Sequence, residues 1–277
     1  MKYQVYNLRE KEIDGFMPKL TAYVIDDNHT DTVENRTLKR PAIIVCPGGG
    51  YGFKSVREGE PIALQFMAAG YVSFVLDYAV APIRYPEPQK NLSDAISFVR
   101  KNADEWGIDK DKIAVIGFSA GGHLAGSVAT MWDEEPLKTP DGSNKPNAAI
   151  LSYPVISSDP RIAHMGSFDN LCGDDEELKK KMSLETRVTE KTPPCFIWHT
   201  FDDNTVHSEN SLVFAKAMRD KNIPFELHIF PKGVHGLALC NTDTANGEWM
   251  YNPYVSDWVP MSIKWLNNLF EKNVLKL

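Results

Sequence analysis

Residues 112–126 read KIAVIGFSAGGHLAG. The stretch 112–118 is almost wholly apolar and rich in β-branched side chains, which predicts a strand buried on both faces. From about 120 to 131 the pattern predicts a helix. Between the two lies Gly117-Phe118-Ser119-Ala120-Gly121, a G-x-S-x-G sequence at a strand-to-helix turn. So sharp a turn forces its middle residue into a strained backbone conformation, and glycines two before and two after remove side chains that would collide there. The Ser119 hydroxyl is thereby exposed at the rim of a sheet, beside the N-terminal amides of the new helix, which favour an anion. A plain helix cap at Ser119 is the competing reading, and the strand–turn–helix context argues against it.

The pattern repeats outward. Strands are expected at 4–8, 20–26, 41–46, 72–78, 148–153, 195–200 and 225–230. Helices are expected at 89–104, on the spacing of Leu92, Ala95, Ile96, Val99 and Ala103, and from a cap at Ser208 to about Lys221, where Pro224 stops it. A last helix starts near Pro260, with Ile263, Leu266, Leu269 and Phe270 as its apolar face. Polar stretches at 27–40, 133–147 and 156–192 lack the length or Gly/Ser content of a domain linker. Apolar strands alternating with helices predict an α/β fold, a mostly parallel sheet covered on both faces, with 1–277 as a single domain. Ligands in such sheets bind beyond the carboxyl ends of the strands, so the loops after 46, 118, 200 and 230 are where chemistry is expected.

Those loops carry a complementary set. A serine alcohol needs a base within hydrogen-bond reach, and that base needs an orienting partner. Of the seven histidines, His235 sits in a glycine-flanked loop after 225–230 and is the candidate base. His199 and His228 fall inside strands and read as structural, His123 as a packing or hydrogen-bonding residue, and His207 as a neighbour of the acid loop. Asp202 and Asp203 both follow 195–200. Asp203 is preferred, because Val206 three residues later can plug into the core while the carboxylate faces the base. The run Cys46-Pro47-Gly48-Gly49-Gly50-Tyr51-Gly52 bares main-chain amides after a core strand. With the amide of Ala120, those of Gly49 and Gly50 form a candidate oxyanion hole, each such donor being worth roughly 3 kcal/mol of barrier. A phosphate cradle is disfavoured, since no G-K-[ST] follows.

Composition narrows the partners. Lys and Arg number 30 against 37 Asp and Glu, a formal charge of −7, and a nucleic-acid binder needs a cationic footprint. No run of 18 apolar residues predicts a membrane span. Charges at Arg9–Glu12 interrupt any signal-peptide core, so a cytoplasmic location is expected. Cys46, Cys172, Cys195 and Cys240 are far apart with no Cys-x-x-Cys, which predicts free thiols rather than zinc ligands or disulfides.

Taken in order, these segments resemble the α/β-hydrolase superfamily. More narrowly, they are similar to its esterase/lipase branch: hormone-sensitive-lipase-like carboxylesterases, acetyl-xylan-esterase-like enzymes and the BD-FAE (feruloyl esterase) type. GFSAGGHLAG matches the nucleophile elbow and PGGGYGF the oxyanion loop. Tyr78-Ala79-Val80-Ala81-Pro82 with Pro86 and Asp94 matches the Y-R-L-A-P segment, and HTFDDNTVHSENS and FPKGVHGL match the acid and histidine loops. The likeness runs from about 20 to 271. Pro47 stands where the branch often has His, Phe118 where many relatives have Asp, and His207 where Pro is common. The resemblance implies a serine hydrolase with Ser119, His235 and Asp203 as its catalytic set, no metal or organic cofactor, and a small or absent lid. It further implies a small ester substrate, short-chain and chiefly acetyl, on a sugar or oligosaccharide among other alcohols; no nucleic-acid or membrane partner; and a homodimer as a permitted assembly. An amidase or aryl formamidase of the same fold, and a non-catalytic ligand-binding protein, are the alternatives. The segments 156–192 and 249–258, the latter with Trp249, Tyr251, Tyr254 and Trp258, are candidate pocket walls; the aromatics could pack or stack on a sugar ring.

Overall fold

The computed structural model describes residues 1–25 and 39–271. Asp26, the expected end of the second strand, and residues 27–38 of the first polar stretch lie outside them. Eight strands form one sheet: β1 (Lys2–Asn7), β2 (Lys19–Val24), β3 (Arg40–Cys46), β4 (Val72–Asp77), β5 (Ile108–Phe118), β6 (Ala148–Ser152), β7 (Cys195–Thr200) and β8 (Phe225–Phe230). Their order is β1-β2-β4-β3-β5-β6-β7-β8. The pairs β1·β2 and β2·β4 are antiparallel, and all the others are parallel.

The continuous apolar strands follow from burial on both faces. In β3, Ala42, Ile44 and Cys46 face one core, while Ile43 and Val45 face the other. The first core is closed by α2 (Glu87–Lys101), α3 (Ala120–Met131) and α6 (Glu209–Asp220), through Leu92, Ile96, Val99, Leu124, Val128, Phe214 and Met218. The second is closed by α1 (Glu60–Ala68) and α7 (Trp258–Phe270), through Ile62, Phe66, Trp258, Trp265 and Leu266. Each such side chain withdrawn from water contributes about 1.5–3 kcal/mol, so both cores hold the sheet in register.

Three local readings need correction. The strand expected at 112–118 begins earlier, at Ile108, where it pairs with Arg40 across an irregularity in the ladder. The Ser208 side chain makes no cap hydrogen bond. Asn222, at φ +56°, turns the chain out of α6 before Pro224 is reached. The polar stretch 156–192 holds two short helices, α4 (Met165–Cys172) and α5 (Glu176–Lys181). Among the described residues no helix is long and apolar enough to cross a membrane. All four cysteines are free and buried.

Candidate active site

The turn between β5 and α3 is as tight as its sequence requires. A Cβ on Gly117 would lie 1.9 Å from the Gly121 carbonyl oxygen, and one on Gly121 would lie 2.1 Å from that of Cys46. Neither position tolerates any side chain. Ser119 sits at φ +54°, ψ −118°, a strained conformation for a residue with a Cβ, costing about 1–3 kcal/mol. Backbone bonds clamp it there: Ser119 N–H donates to the Ser152 carbonyl at 3.0 Å, and Val155 N–H donates to the Ser119 carbonyl at 3.1 Å.

The loops after β7 and β8 converge on this serine. His235 Nε2 lies 2.8 Å from Ser119 Oγ, and His235 Nδ1 lies 2.7 Å from Asp203 Oδ2. A carboxylate only accepts, so Nδ1 carries the proton and Nε2 is left to accept the serine hydroxyl. Asp203 is buried. Its Oδ1 accepts the amides of Thr205 at 2.9 Å and Val206 at 3.0 Å, while Val206 is fully buried beneath. His199 Nε2 donates to the Val206 carbonyl at 2.8 Å and approaches Asp203 Oδ2 at 3.4 Å. Burial by itself would raise the Asp203 pKa. Hydrogen bonds from His199, His235 and the Val206 amide, with the His235 charge, outweigh it and hold the carboxyl well below the usual range. Asp202 is spent elsewhere, accepting the Gly233 amide at 2.7 Å.

The glycine loop after β3 forms the facing wall. Among the described residues no hydrogen bond uses the amides of Gly49, Gly50 or Ala120; the last is an unpaired donor because it opens a helix. The loop's shape is held from below. Glu58, only 3% exposed, accepts the Gly48 amide through Oε2 at 2.8 Å and the Tyr153 hydroxyl through Oε1 at 2.7 Å. The same Tyr153 oxygen accepts the amide of Ala238 at 3.0 Å, and the Tyr153 ring packs edge-on against His235, centroids 5.1 Å apart. Burial, then the Glu58 charge, pushes the Tyr153 hydroxyl far above its ordinary pKa, so it stays a donor. One buried carboxylate therefore links the glycine loop to the histidine loop. Glu58 and Tyr153 carry no sequence signal of this role, since the link depends on residues 95 positions apart.

Together these groups line a cavity of about 420 Å³, bounded also by Phe53, Arg57, His164, Gly166, Asn170 and Thr205. Of the segments left open by sequence, 156–192 supplies His164, Gly166 and Asn170, whereas no residue of 249–258 reaches this wall. Trp258 is core, stacked on Trp198 at 5.0 Å, while Trp249, Tyr251 and Tyr254 are exposed. His207 is exposed and does not line the cavity. His123 is buried, donating to the Met182 carbonyl and accepting from Tyr51, both at 2.8 Å. His199 and His228 bond within and beside their strands. A larger cavity, about 1090 Å³, lies away from Ser119; of its cations, Arg9 pairs with Asp94 and Glu87, and Arg100 donates to three groups of the 143–147 loop.

The BD-FAE family model matches residues 31–218. The chain belongs to the BD-FAE family. Solved structures place this BD-FAE chain among the α/β-hydrolases. One is an acetyl ester-xyloside bifunctional hydrolase from Caldicellulosiruptor lactoaceticus, 37% identical, with a TM-score of 0.84 and 96% of each chain covered. Among curated proteins, it is 41% identical over 87% of its length to Endo-1,4-beta-xylanase B of Butyrivibrio fibrisolvens, of which 38% is covered. It is 33% identical over 80% of its length to an acetylxylan esterase of Xylanibacter ruminicola, of which 46% is covered. The chain thus spans less than half the length of these curated relatives.

Proposed function

We propose that this chain is a serine ester hydrolase acting on short-chain, chiefly acetyl, esters of a sugar or oligosaccharide. The observation that carries the reading is the unbroken pair of hydrogen bonds from Ser119 through His235 to Asp203, at 2.8 and 2.7 Å. Ser119 Oγ attacks the ester carbonyl as His235 Nε2 takes its proton. Asp203 keeps the imidazole in the required tautomer and stabilises the imidazolium. The negative oxygen of the tetrahedral intermediate meets the amides of Gly49, Gly50 and Ala120. His235 then protonates the departing alcohol, and a water activated by the same imidazole releases the acid from the acyl-enzyme.

The acetyl and carbohydrate parts of the proposal are supported by the activities named for the relatives and by a cavity whose lining residues, Phe53 apart, are glycines or carry polar side chains. The test is a panel of acetyl, butyryl, feruloyl and formyl compounds, with an acetylated xylo-oligosaccharide included. Short acetyl esters are expected to be turned over fastest, and Ser119→Ala to abolish turnover and labelling by a fluorophosphonate. A Ser119→Ala protein that cleaved acetyl esters at the native rate would overturn the reading; a preference for formyl amides would move it to an amidase.

A further inference from the structure

One wall of the cavity carries a donor and an acceptor that have no partner among the described residues. His164 Nδ1 lies 2.9 Å from Ser167 Oγ. Ser167 is 1% exposed, and among the described residues its hydroxyl has no other acceptor. A buried hydroxyl that cannot reach water donates where it can. The Ser167 proton therefore points at Nδ1, and the proton of the neutral imidazole sits on Nε2. That N–H has no partner among the described residues, yet it is not among the buried unpaired atoms, so it is accessible. On the same cavity wall, Asn170 spends its Nδ2 on the Gly50 carbonyl at 2.8 Å, which orients the amide; its Oδ1 is accessible and has no partner among the described residues. Both residues line the cavity and both pack against Gly50.

We propose that His164 Nε2 and Asn170 Oδ1 form a hydroxyl-binding subsite that selects esters of polyhydroxylated alcohols, such as a sugar residue. A hydroxyl is at once donor and acceptor, so a fixed N–H and a fixed carbonyl oxygen on one cavity wall are the groups that hydroxyls of a polyhydroxylated alcohol would meet. An acetyl group has no hydroxyl, so the bound one belongs to the alcohol. Burial lowers the His164 pKa, with the His235 charge acting in the same direction and Asp203 opposing it, which favours the neutral ring. This rests on the proposed serine ester hydrolase activity and adds to it the residues that would read the alcohol.

The experiment compares kcat and KM for 4-nitrophenyl acetate, whose alcohol has no second hydroxyl, with those for a monoacetylated methyl xyloside. His164→Phe keeps an aromatic ring and removes the N–H. It is expected to raise KM for the xyloside ester about five- to tenfold more than KM for 4-nitrophenyl acetate, the size of one lost neutral hydrogen bond. His164→Gln, which restores an amide N–H, should recover part of the loss. Nitrogen-15 NMR of the imidazole in the unaltered chain should show the proton on Nε2, a reading independent of how any variant folds. Equal loss on both esters would assign His164 a structural role and overturn the proposal. So would unchanged KM for the xyloside ester, a proton on Nδ1, or a KM effect confined to methyl ferulate, which would place the hydroxyl on the acyl side. In each of those cases an inactive Ser119→Ala protein would leave the ester hydrolase reading standing.

Discussion

Tyr153 donates its hydroxyl to Glu58 at 2.7 Å, and this single bond joins the loop that bares the Gly49 and Gly50 amides to the one that carries His235. Tyr153→Phe removes the donor to a buried carboxylate and the acceptor of the Ala238 amide. Leaving such groups unpaired costs about 1–3 kcal/mol each, so a stability loss of about 2–4 kcal/mol is expected. Because both loops slacken, kcat should fall at least tenfold with a smaller change in KM. Urea unfolding and steady-state kinetics check this together, and native values for both would show that the loops hold themselves.

At the elbow, Gly121→Ala would drive a methyl group to within 2.1 Å of the Cys46 carbonyl oxygen, which is backbone of a central strand and cannot yield. The expected result is a loss of more than about 3 kcal/mol, read as a fall in Tm or in soluble yield. Ala125→Gly, on the same helix, serves as the comparison: it should cost about 1 kcal/mol of helix propensity plus the small packing loss of one methyl group. Equal Tm values for the two variants would contradict the close approach.

What the sequence made legible divides along physical lines. The strands β3, β5 and β7 were readable because burial on both faces demands unbroken apolar runs, and the elbow because its glycines are forced by contact. Helix α1 was not: its run Pro61–Ala68 is apolar on nearly every side, with Gln65 alone to mark a polar face, so no 3.6-residue period stands out. Helices α4 and α5 are short; α5 is charged at every position but Leu178, and α4 is held by tertiary contacts of its buried Phe168 and Leu171 rather than by a helical period. His235, Asp203 and Ser119 could be chosen because each follows a strand in the order this chemistry uses. Glu58, His164 and Asn170 could not, since their places depend on how loops distant in sequence meet.

Between the two acidic neighbours the structure draws a sharp contrast. Asp203 bonds His235, and Asp202 bonds only the Gly233 amide and, at 3.4 Å, Lys232. Asp203→Asn is therefore expected to lower kcat by about 10³–10⁴, since an amide can hold the imidazole in the wrong tautomer. Asp202→Asn should cost less than about tenfold, through a looser histidine loop. Kinetics with 4-nitrophenyl acetate distinguish them, and the reverse ranking would transfer the orienting role to Asp202.

His123 gives the protein a pH dependence of stability that is separate from catalysis. Burial lowers its pKa to about 4, against a partial opposing pull from the Met182 carbonyl. The unfolded chain binds a proton at this residue near pH 6.5, whereas the folded chain does so only near 4. Between those values the unfolded state holds more protons, so stability falls as pH falls, by about 1.4 kcal/mol per unit. The loss begins below pH 6.5 and is complete near 4, amounting to roughly 3 kcal/mol. His123→Gln does not titrate and lacks this contribution. Its stability deficit relative to the unaltered chain, measured by urea unfolding, should be largest at pH 7.5 and smaller by about 2 kcal/mol at pH 5.0. A deficit of the same size at both pH values would mean that the buried ring is protonated in the folded state as readily as in water, and would overturn the assignment of burial as the cause of its lowered pKa.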